Sequence, residues 1–121
     1  MNEWIYFIHS PRDDFAATMN DDEQAVFGAH FGYLQQLLAQ GKLILAGPTL
    51  GTINTGVCVI EAEDEAAATQ IMNADPFIAS GLTKGELRPF RAALLRGRDH
   101  AATPVFSTET RQSDSPSSVT V

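Results

Sequence analysis

Short apolar runs divide the chain into predicted β-strands. Residues 4–8 (WIYFI) are aromatic and β-branched and end at His-Ser-Pro, which is typical of a strand followed by a turn. Residues 43–46 form a second apolar run that stops at Gly-Pro, and residues 56–60 form a third after a turn-rich connection, so these two predict a hairpin. A fourth strand is predicted over residues 86–95, where apolar residues interleave with arginines.

A long amphipathic helix is predicted over residues 21–40. Asn20 is a favoured N-cap, Glu23 follows three residues later as in a capping box, and the first turn is acidic, which suits the positive end of the helix dipole. Apolar side chains and one histidine then recur at steps of three and four residues: Val26, Phe27, His30, Phe31, Leu34, Leu37 and Leu38. Gly41 is a natural residue to end the helix.

A second helix is predicted after the third strand, with Asp64 as its N-cap. It should end near Ala74, because Pro76 disfavours the helical conformation at Asp75. Residues 12–20 are interpreted as a polar connection and residues 77–85 as a short irregular or helical passage. The order β-α-β-β-α-β predicts an α+β, ferredoxin-like fold, with two helices on one face of an antiparallel sheet.

The predicted strands are apolar on both faces, which indicates a homodimer. Two helices cover only one face of an antiparallel sheet, and the strands lack the alternation of a sheet whose other face meets water. The simplest cover for the second face is the same face of another copy. The alternative is a monomer whose C-terminal segment covers that face.

The charge balance narrows the classes of partner. The 121 residues contain 8 Lys and Arg against 15 Asp and Glu, a net charge of −7. Clustered basic residues are what nucleic acids and anionic membranes attract, so neither is an expected partner. No run approaches the roughly 18 apolar residues of a membrane span, and the N-terminus lacks a signal-peptide pattern. The sequence therefore predicts a cytoplasmic protein whose partners are a small molecule and a second copy.

The composition changes near residue 98. Residues 1–98 are interpreted as the folded domain and residues 99–121 as a Ser- and Thr-rich C-terminal extension. Its composition favours a flexible segment, with Val105 and Phe106 as residues that would anchor it to the body or to a partner.

His30 and Asp75 are the residues with the clearest catalytic chemistry. His30 lies on the apolar face of the long helix, where an imidazole needs a hydrogen-bond partner. Asp75 lies at a sharp turn before Pro76, and a carboxylate that holds an imidazole makes it a better general base. Each also has an ordinary structural explanation: a core histidine that is satisfied by hydrogen bonds, and an Asp-Pro turn.

The remaining histidines and the cysteine give weaker indications of a catalytic or metal-binding role. His9 ends the first strand, either as a wall of a cleft or as a surface residue. The three histidines lack metal-ligand spacing, so no metal site is expected. Cys58, the only cysteine, is interpreted as a small buried apolar residue.

A series of short motifs resembles the YCII-related family. In chain order they are Ala29-His30-Phe31-Gly32-Tyr33-Leu34, Gly41-Lys42-Leu43, Ala46-Gly47-Pro48, Ala74-Asp75-Pro76-Phe77 and Leu87-Arg88-Pro89-Phe90. The resemblance covers about residues 3–96. It implies a dimeric α+β barrel with two facing ferredoxin-like sheets, and a His–Asp pair in a cleft, here His30 and Asp75. The C-terminal extension and the acidic connection before Asn20 depart from the family pattern, at places where they would reshape a pocket mouth.

Two functions of different classes follow from these observations. The first is a cofactor-independent enzyme, a lyase or isomerase acting on a small molecule such as a cyclic or phenolic compound. In it, His30 takes a proton, Asp75 orients the ring, and His9, Pro48 and Phe77 line the substrate pocket. The second is a non-catalytic module that binds a small molecule or another protein. A His30–Asp75 hydrogen bond that opens on a solvent-connected pocket favours the enzyme, and a His30 sealed in the core favours the module.

Overall fold

The computed structural model describes residues 1–99 of the chain. Its elements are β1 (Asn2–His9), α1 (Phe15–Thr18), α2 (Asp21–Ala39), β2 (Leu43–Pro48), β3 (Thr55–Ala62), α3 (Glu65–Ala74), α4 (Pro76–Ala79) and β4 (Gly85–Phe90). None of these helices combines the length and the apolar character needed to cross a membrane.

The four strands form one antiparallel sheet in the order β2-β3-β1-β4. The first and third strands are therefore central, and α2 and α3 follow the first and third strands as the βαβ pattern requires. The predicted α+β, ferredoxin-like fold is confirmed. Two single-turn helices, α1 and α4, are added to it.

The capping box predicted for the long helix is present. The Glu23 amide donates to the Asn20 side chain at 2.8 Å, and the Asn20 amide donates to Glu23 Oε1 at 2.9 Å. The helix stops one residue before the predicted end, and Gly41 has the positive φ of 76° that lets the chain turn away.

Only part of the apolar face of α2 packs against the core. His30, Leu34 and Leu37 are buried, as a helix face packed on a sheet should be. Phe27 and Phe31, predicted on the same face, remain 44% and 55% exposed. This part of the helix face borders a cavity instead of the core.

One face of the sheet and the helices form the core. The core-facing residues alternate along the two central strands, as side chains of period two must: Trp4, Tyr6 and Ile8 in β1, and Cys58, Ile60 and Ala62 in β3. Val59, on the opposite face of β3, is also buried. Leu34, Leu37, Met72 and Phe77 complete this cluster from the helices.

The other face of the sheet carries a stripe of apolar side chains. Ile5 pairs with Val59, which pairs with Leu45, and Phe7 pairs with Val57. These five residues are called the apolar stripe below. Charged residues of β1, β3 and the neighbouring β4 border it: Glu3, Glu61, Glu86 and Arg88.

The fourth strand is shorter than the sequence predicts. It ends at Phe90, which pairs with Glu3, so the expectation of a strand as far as Leu95 is wrong. The neighbouring strand begins at Asn2 and therefore offers almost no backbone beyond this point with which a longer strand would pair.

The connection before α2 is less polar than expected. It contains α1, and Phe15 is 6% exposed. Asp14 adopts a left-handed conformation (φ 58°), and its amide donates to the Thr52 carbonyl at 2.9 Å. The first connection is thus fastened to the loop between β2 and β3.

The compact unit ends at Arg91. In the segment that follows, the Leu95 amide donates to Asp99 at 2.7 Å and the Arg98 guanidinium donates to the Ala92 carbonyl. The predicted domain boundary at residue 98 falls in this segment. Residues 100–121, with the predicted anchor at Val105 and Phe106, lie outside the described residues.

Candidate active site

Asp75 is placed by the turn between two helices. It ends α3 and begins α4, because Pro76 favours extended backbone before it and is well suited to the first position of the next helix. Its Oδ1 accepts a hydrogen bond from the Phe77 amide at 3.0 Å, and the residue is fully buried. The Asp-Pro pair therefore makes a helix cap and also directs a carboxylate into the core.

His30 meets this carboxylate. Its Nδ1 lies 2.7 Å from Asp75 Oδ1 and 2.9 Å from Oδ2. An ionised carboxylate only accepts hydrogen bonds, so a neutral His30 facing it carries its proton on Nδ1 and its lone pair on Nε2. The geometry selects the tautomer that a general base requires.

Tyr6 supplies a third donor to Asp75, which the sequence analysis missed. Its hydroxyl donates to Oδ2 at 2.8 Å, and the residue is fully buried. The available signal was the alternation of β1: it places Tyr6 on the core face between Trp4 and Ile8, where a phenol hydroxyl must find a partner.

The tyrosine and the cysteine beside the pair are held in their neutral forms. Burial raises the pKa of Tyr6 far above its usual value, and the nearby Cys58 and Asp75 add to that effect. Burial also raises the pKa of the Cys58 thiol to about 12. Cys58 is therefore a thiol at neutral pH and not a nucleophile, in keeping with its predicted role as a small buried residue.

Phenyl rings surround the imidazole. Phe77 meets His30 edge to face, with ring centroids 4.9 Å apart and planes at 78°. Phe27 lies 6.0 Å from the imidazole and 6.1 Å from the Phe77 ring, and Phe15 packs on Phe77 from the first connection. These contacts restrict the ring and remove water from around it.

A cavity of about 600 Å³ lies against His30. Its wall includes Phe27, Phe31 and Phe77, the whole of β2, the end of β1 and the connection that follows. The lining includes Ser10, Gln35 and Asn54 among its polar residues, but no Lys, Arg, Asp or Glu. Such a cavity suits a small, largely apolar and uncharged molecule.

The predicted pocket residues all line this cavity, but they differ in position. Phe77 is buried against His30, whereas Pro48 is exposed at the end of β2. His9 lines the cavity too, yet its Nε2 lies 3.0 Å from Glu86 Oε1, and its ring stacks on Phe7. The structure thus pairs His9 with Glu86 and His30 with Asp75.

The His9 contact also affects Glu86. The hydrogen bond from His9, with a second from Arg88, lowers the pKa of the Glu86 carboxyl. His9, Glu86 and Arg88 are exposed, so water screens their charges and these contacts contribute little to the stability of the fold.

An exposed arginine fixes the connection that closes one side of the cavity. Arg12 donates to both carboxylate oxygens of Glu23, at 2.8 and 2.9 Å, and its guanidinium lies 5.1 Å from the Phe15 ring centroid. Phe15 lines the cavity. Glu23, which takes part in the capping box of α2, therefore also holds Arg12 against Phe15 in the cavity wall.

Across residues 1–99, no group of three or more His, Cys, Asp or Glu side chains is arranged to hold a metal ion.

The fold and the site define a class of protein: a ferredoxin-like α+β domain with a buried His–Asp pair beside an apolar cavity. The sequence matches the YCII-related domain over residues 4–91, and the protein belongs to this family.

One solved structure similar to this chain is 5-chloro-2-hydroxyhydroquinone dehydrochlorinase from Burkholderia phenoliruptrix AC1100, in complex with 2,5-dihydroxybenzoquinone. The TM-score is 0.55 at 22% identity, over 73% of this chain and 93% of that one. At this identity the likeness shows the shared fold. A comparison with curated proteins gives no significant match.

Proposed function

We propose that the protein is a cofactor-independent enzyme of the lyase or isomerase type, in which His30 and Asp75 abstract a proton from a small cyclic or phenolic molecule. The observation that carries the proposal is the 2.7 Å contact between His30 Nδ1 and Asp75 Oδ1 at the wall of a 600 Å³ cavity. An oriented imidazole next to a space large enough for a substrate is the arrangement that general base catalysis needs.

The proton transfer uses the free nitrogen of His30. Nε2 accepts a proton from a hydroxyl or carbon of the substrate, and the negative charge of Asp75 stabilises the imidazolium that forms. In a lyase, the electron pair left on the substrate expels a leaving group; in an isomerase, the proton returns to another atom. A positioned base of this kind contributes about 10²- to 10⁴-fold in rate.

The composition of the cavity supports the substrate class. Aromatic and aliphatic side chains form most of the wall, and phenyl rings favour stacking or edge contacts with a planar ring. Phe77 would position the ring next to His30, while Pro48 and His9 would shape the outer part of the pocket. The dehydrochlorinase with the similar fold acts on a chlorinated hydroxyhydroquinone by its name, and this supports a phenolic substrate here.

The apolar stripe supports a homodimer with the sheets facing each other. Ile5, Phe7 and Val57 are half-buried, and Leu45 is 61% exposed. A second copy that packs the same stripe against this one would remove these side chains from water, with the charged border as the rim of the interface.

A binding module without turnover is the second candidate, and one observation favours it. His30 is only 9% exposed, and few polar side chains line the cavity to orient a substrate for reaction. In this case the protein binds an apolar metabolite without converting it. The hydrogen bond between His30 and Asp75 then has a structural role, since it satisfies two buried polar groups.

Turnover of cyclic and halogenated phenolic compounds tests the two candidates. We expect the wild-type protein to convert at least one compound, and His30→Ala and His30→Gln to lose about 10²-fold or more of kcat/KM. The His30→Gln variant keeps a polar side chain of similar size, and circular dichroism checks that both variants fold. Glu65→Gln, a change in the first turn of α3 at a residue that does not line the cavity, serves as the control and should retain kcat.

Each outcome has a defined meaning. Equal turnover by wild type and His30→Ala removes the mechanism. Binding of a compound in calorimetry with no turnover by the wild type supports the binding module instead.

A further inference from the structure

Asp75 Oδ2 is shared between two donors. Tyr6 donates to it at 2.8 Å, and His30 Nδ1 lies 2.9 Å from it. The other oxygen, Oδ1, receives His30 Nδ1 at 2.7 Å and the Phe77 amide at 3.0 Å. The carboxylate is therefore held by a backbone amide on one oxygen and by a phenol on the other.

We propose that Tyr6 is a positioning residue for the base: its hydroxyl fixes the Asp75 carboxylate against His30 and limits how strongly that carboxylate favours the protonated imidazole. The inference rests on the proposed function, since it concerns the same pair. It adds a residue that contacts neither the cavity nor a substrate and acts through Asp75.

The place of Tyr6 in the fold suits this role. It lies in a central strand that is paired on both sides, so its backbone position is well fixed. Its side chain is fully buried on the core face, where a phenylalanine would fill nearly the same space. The hydroxyl is what distinguishes tyrosine here, and its hydrogen bond goes to Asp75.

The effect on His30 has a definite sign. A donor on Oδ2 takes up part of the negative charge of the carboxylate, which leaves less to stabilise a positive charge on His30. Removing the donor makes the protonated imidazole more stable relative to the neutral one. A base that stays protonated to higher pH is inactive over a wider range, so the Tyr6 hydrogen bond widens the pH range in which His30 is the free base.

The ionisable groups around the pair are few. Tyr6 faces Asp75 from β1, Cys58 approaches from β3, and Tyr33 is on α2 with His30 itself. Tyr6 and Cys58 stay neutral at physiological pH, and burial raises the pKa of Tyr33 as well. Neither tyrosine nor the cysteine therefore adds a charge beside the His30–Asp75 pair at neutral pH.

Nuclear magnetic resonance titration of the His30 ring protons in Tyr6→Phe tests the inference without a substrate. His30→Gln identifies the signal, because it removes one histidine of the three in the chain. We expect the midpoint to rise by about one pH unit, as for the loss of one hydrogen bond to a charged group. If the protein turns over a substrate, the acid limb of kcat/KM should move in the same direction.

Tyr33→Phe is the matched control. It removes the same hydroxyl from the only other tyrosine, whose bond goes to the Ile71 carbonyl at 2.7 Å and not to Asp75. We expect its His30 titration to match wild type. A merely structural role for Tyr6 would lower stability without moving the titration.

Fluorination gives a second test that does not depend on the folding of Tyr6→Phe. In the Tyr33→Phe background, biosynthetic 3-fluorotyrosine enters only at position 6 and is a stronger donor. We expect the His30 midpoint to move down. Unchanged midpoints in both Tyr6→Phe and the fluorinated protein overturn the inference, whereas a shifted midpoint without any turnover would overturn only the proposed function.

Discussion

Asp75 performs two tasks with one carboxylate. It caps α4 through the Phe77 amide and orients His30, and it does so with no exposure to water. A buried carboxylate is costly unless its oxygens are satisfied, and hydrogen bonds to a charged group are worth about 1.5–3 kcal/mol each. Three groups, one each from Tyr6, His30 and Phe77, satisfy the two oxygens of the Asp75 carboxyl group.

Ionisation of Glu23 makes the stability of the folded protein depend on pH in the acid range. The hydrogen bonds from Arg12, and next that from the Asn20 amide, lower the pKa of its carboxyl from 4.5 to about 2. The unfolded chain therefore binds this proton more readily than the folded chain. The stabilisation is complete above about pH 4.5 and is lost as the pH falls toward 2.

We therefore expect Glu23→Gln to unfold at a lower temperature than wild type at pH 6, with the difference shrinking as the pH approaches 2. Glutamine at this position still reaches the Asn20 amide but carries no charge for Arg12. Thermal unfolding followed by circular dichroism from pH 6 to 2 measures this. Glu65→Gln, the same change in the first turn of α3, is the control; a Glu23→Gln difference that stays constant with pH would contradict the assignment.

Much of the site could be predicted at the level of single residues. The apolar helix face singled out His30, and the position before Pro76 singled out Asp75. Their meeting could not be predicted from spacing, because 45 residues separate them and only the resemblance to a family linked them. The role of Tyr6 could not be predicted, because this residue lies in an apolar run that indicates only a buried strand.

The packing between α3 and β4 depends on the absence of a side chain. A Cβ at Gly85 would lie 2.6 Å from Met72 Sδ, 2.9 Å from Met72 Cγ and 3.3 Å from Ile78 Cδ1. These distances are shorter than normal contacts, so the helix side chains would have to move. Glycine at this strand position lets α3 and α4 approach the sheet closely.

Gly85→Ala is expected to destabilise the protein by about 1 kcal/mol, since overpacking typically costs about 1–3 kcal/mol and the lower entropy of unfolded alanine offsets part of that. Urea unfolding gives the free energy. Gly47→Ala in β2 is the matched control, because a Cβ there meets nothing within 4 Å, and it should be neutral or slightly stabilising. Equal stability of the two variants would show that Met72 moves aside without cost.

The observed bounds of an element agree best with the predicted ones where the residues at its own ends determine them. The capping box and Gly41 fix both ends of α2 through backbone chemistry that needs no tertiary contact. The end of β4 depends instead on where its neighbour stops, which the sequence of β4 does not contain. In the same way, α1 is held by tertiary contacts, with Phe15 packed on Phe77.

At the scale of the whole molecule, the apolar stripe calls for a partner surface. We expect the protein to scatter light as a homodimer at micromolar concentration, and Ile5→Lys to dissociate it, because a lysine there would bring a charge into the apolar centre of the interface. Gln36→Lys, on the exposed side of α2, adds the same charge and should leave the dimer intact. A wild-type monomer that is independent of concentration would refute the dimer.

The site is divided between the two halves of the chain. His30 and Tyr6 come from the first βαβ half, whereas Asp75 and Cys58 come from the second, and 69 residues separate Tyr6 from Asp75. During synthesis, the first half emerges with a histidine that has no carboxylate to orient it. The His30–Asp75 pair forms only when the turn between α3 and α4 packs against α2, so a chain that ends before residue 75 lacks the pair.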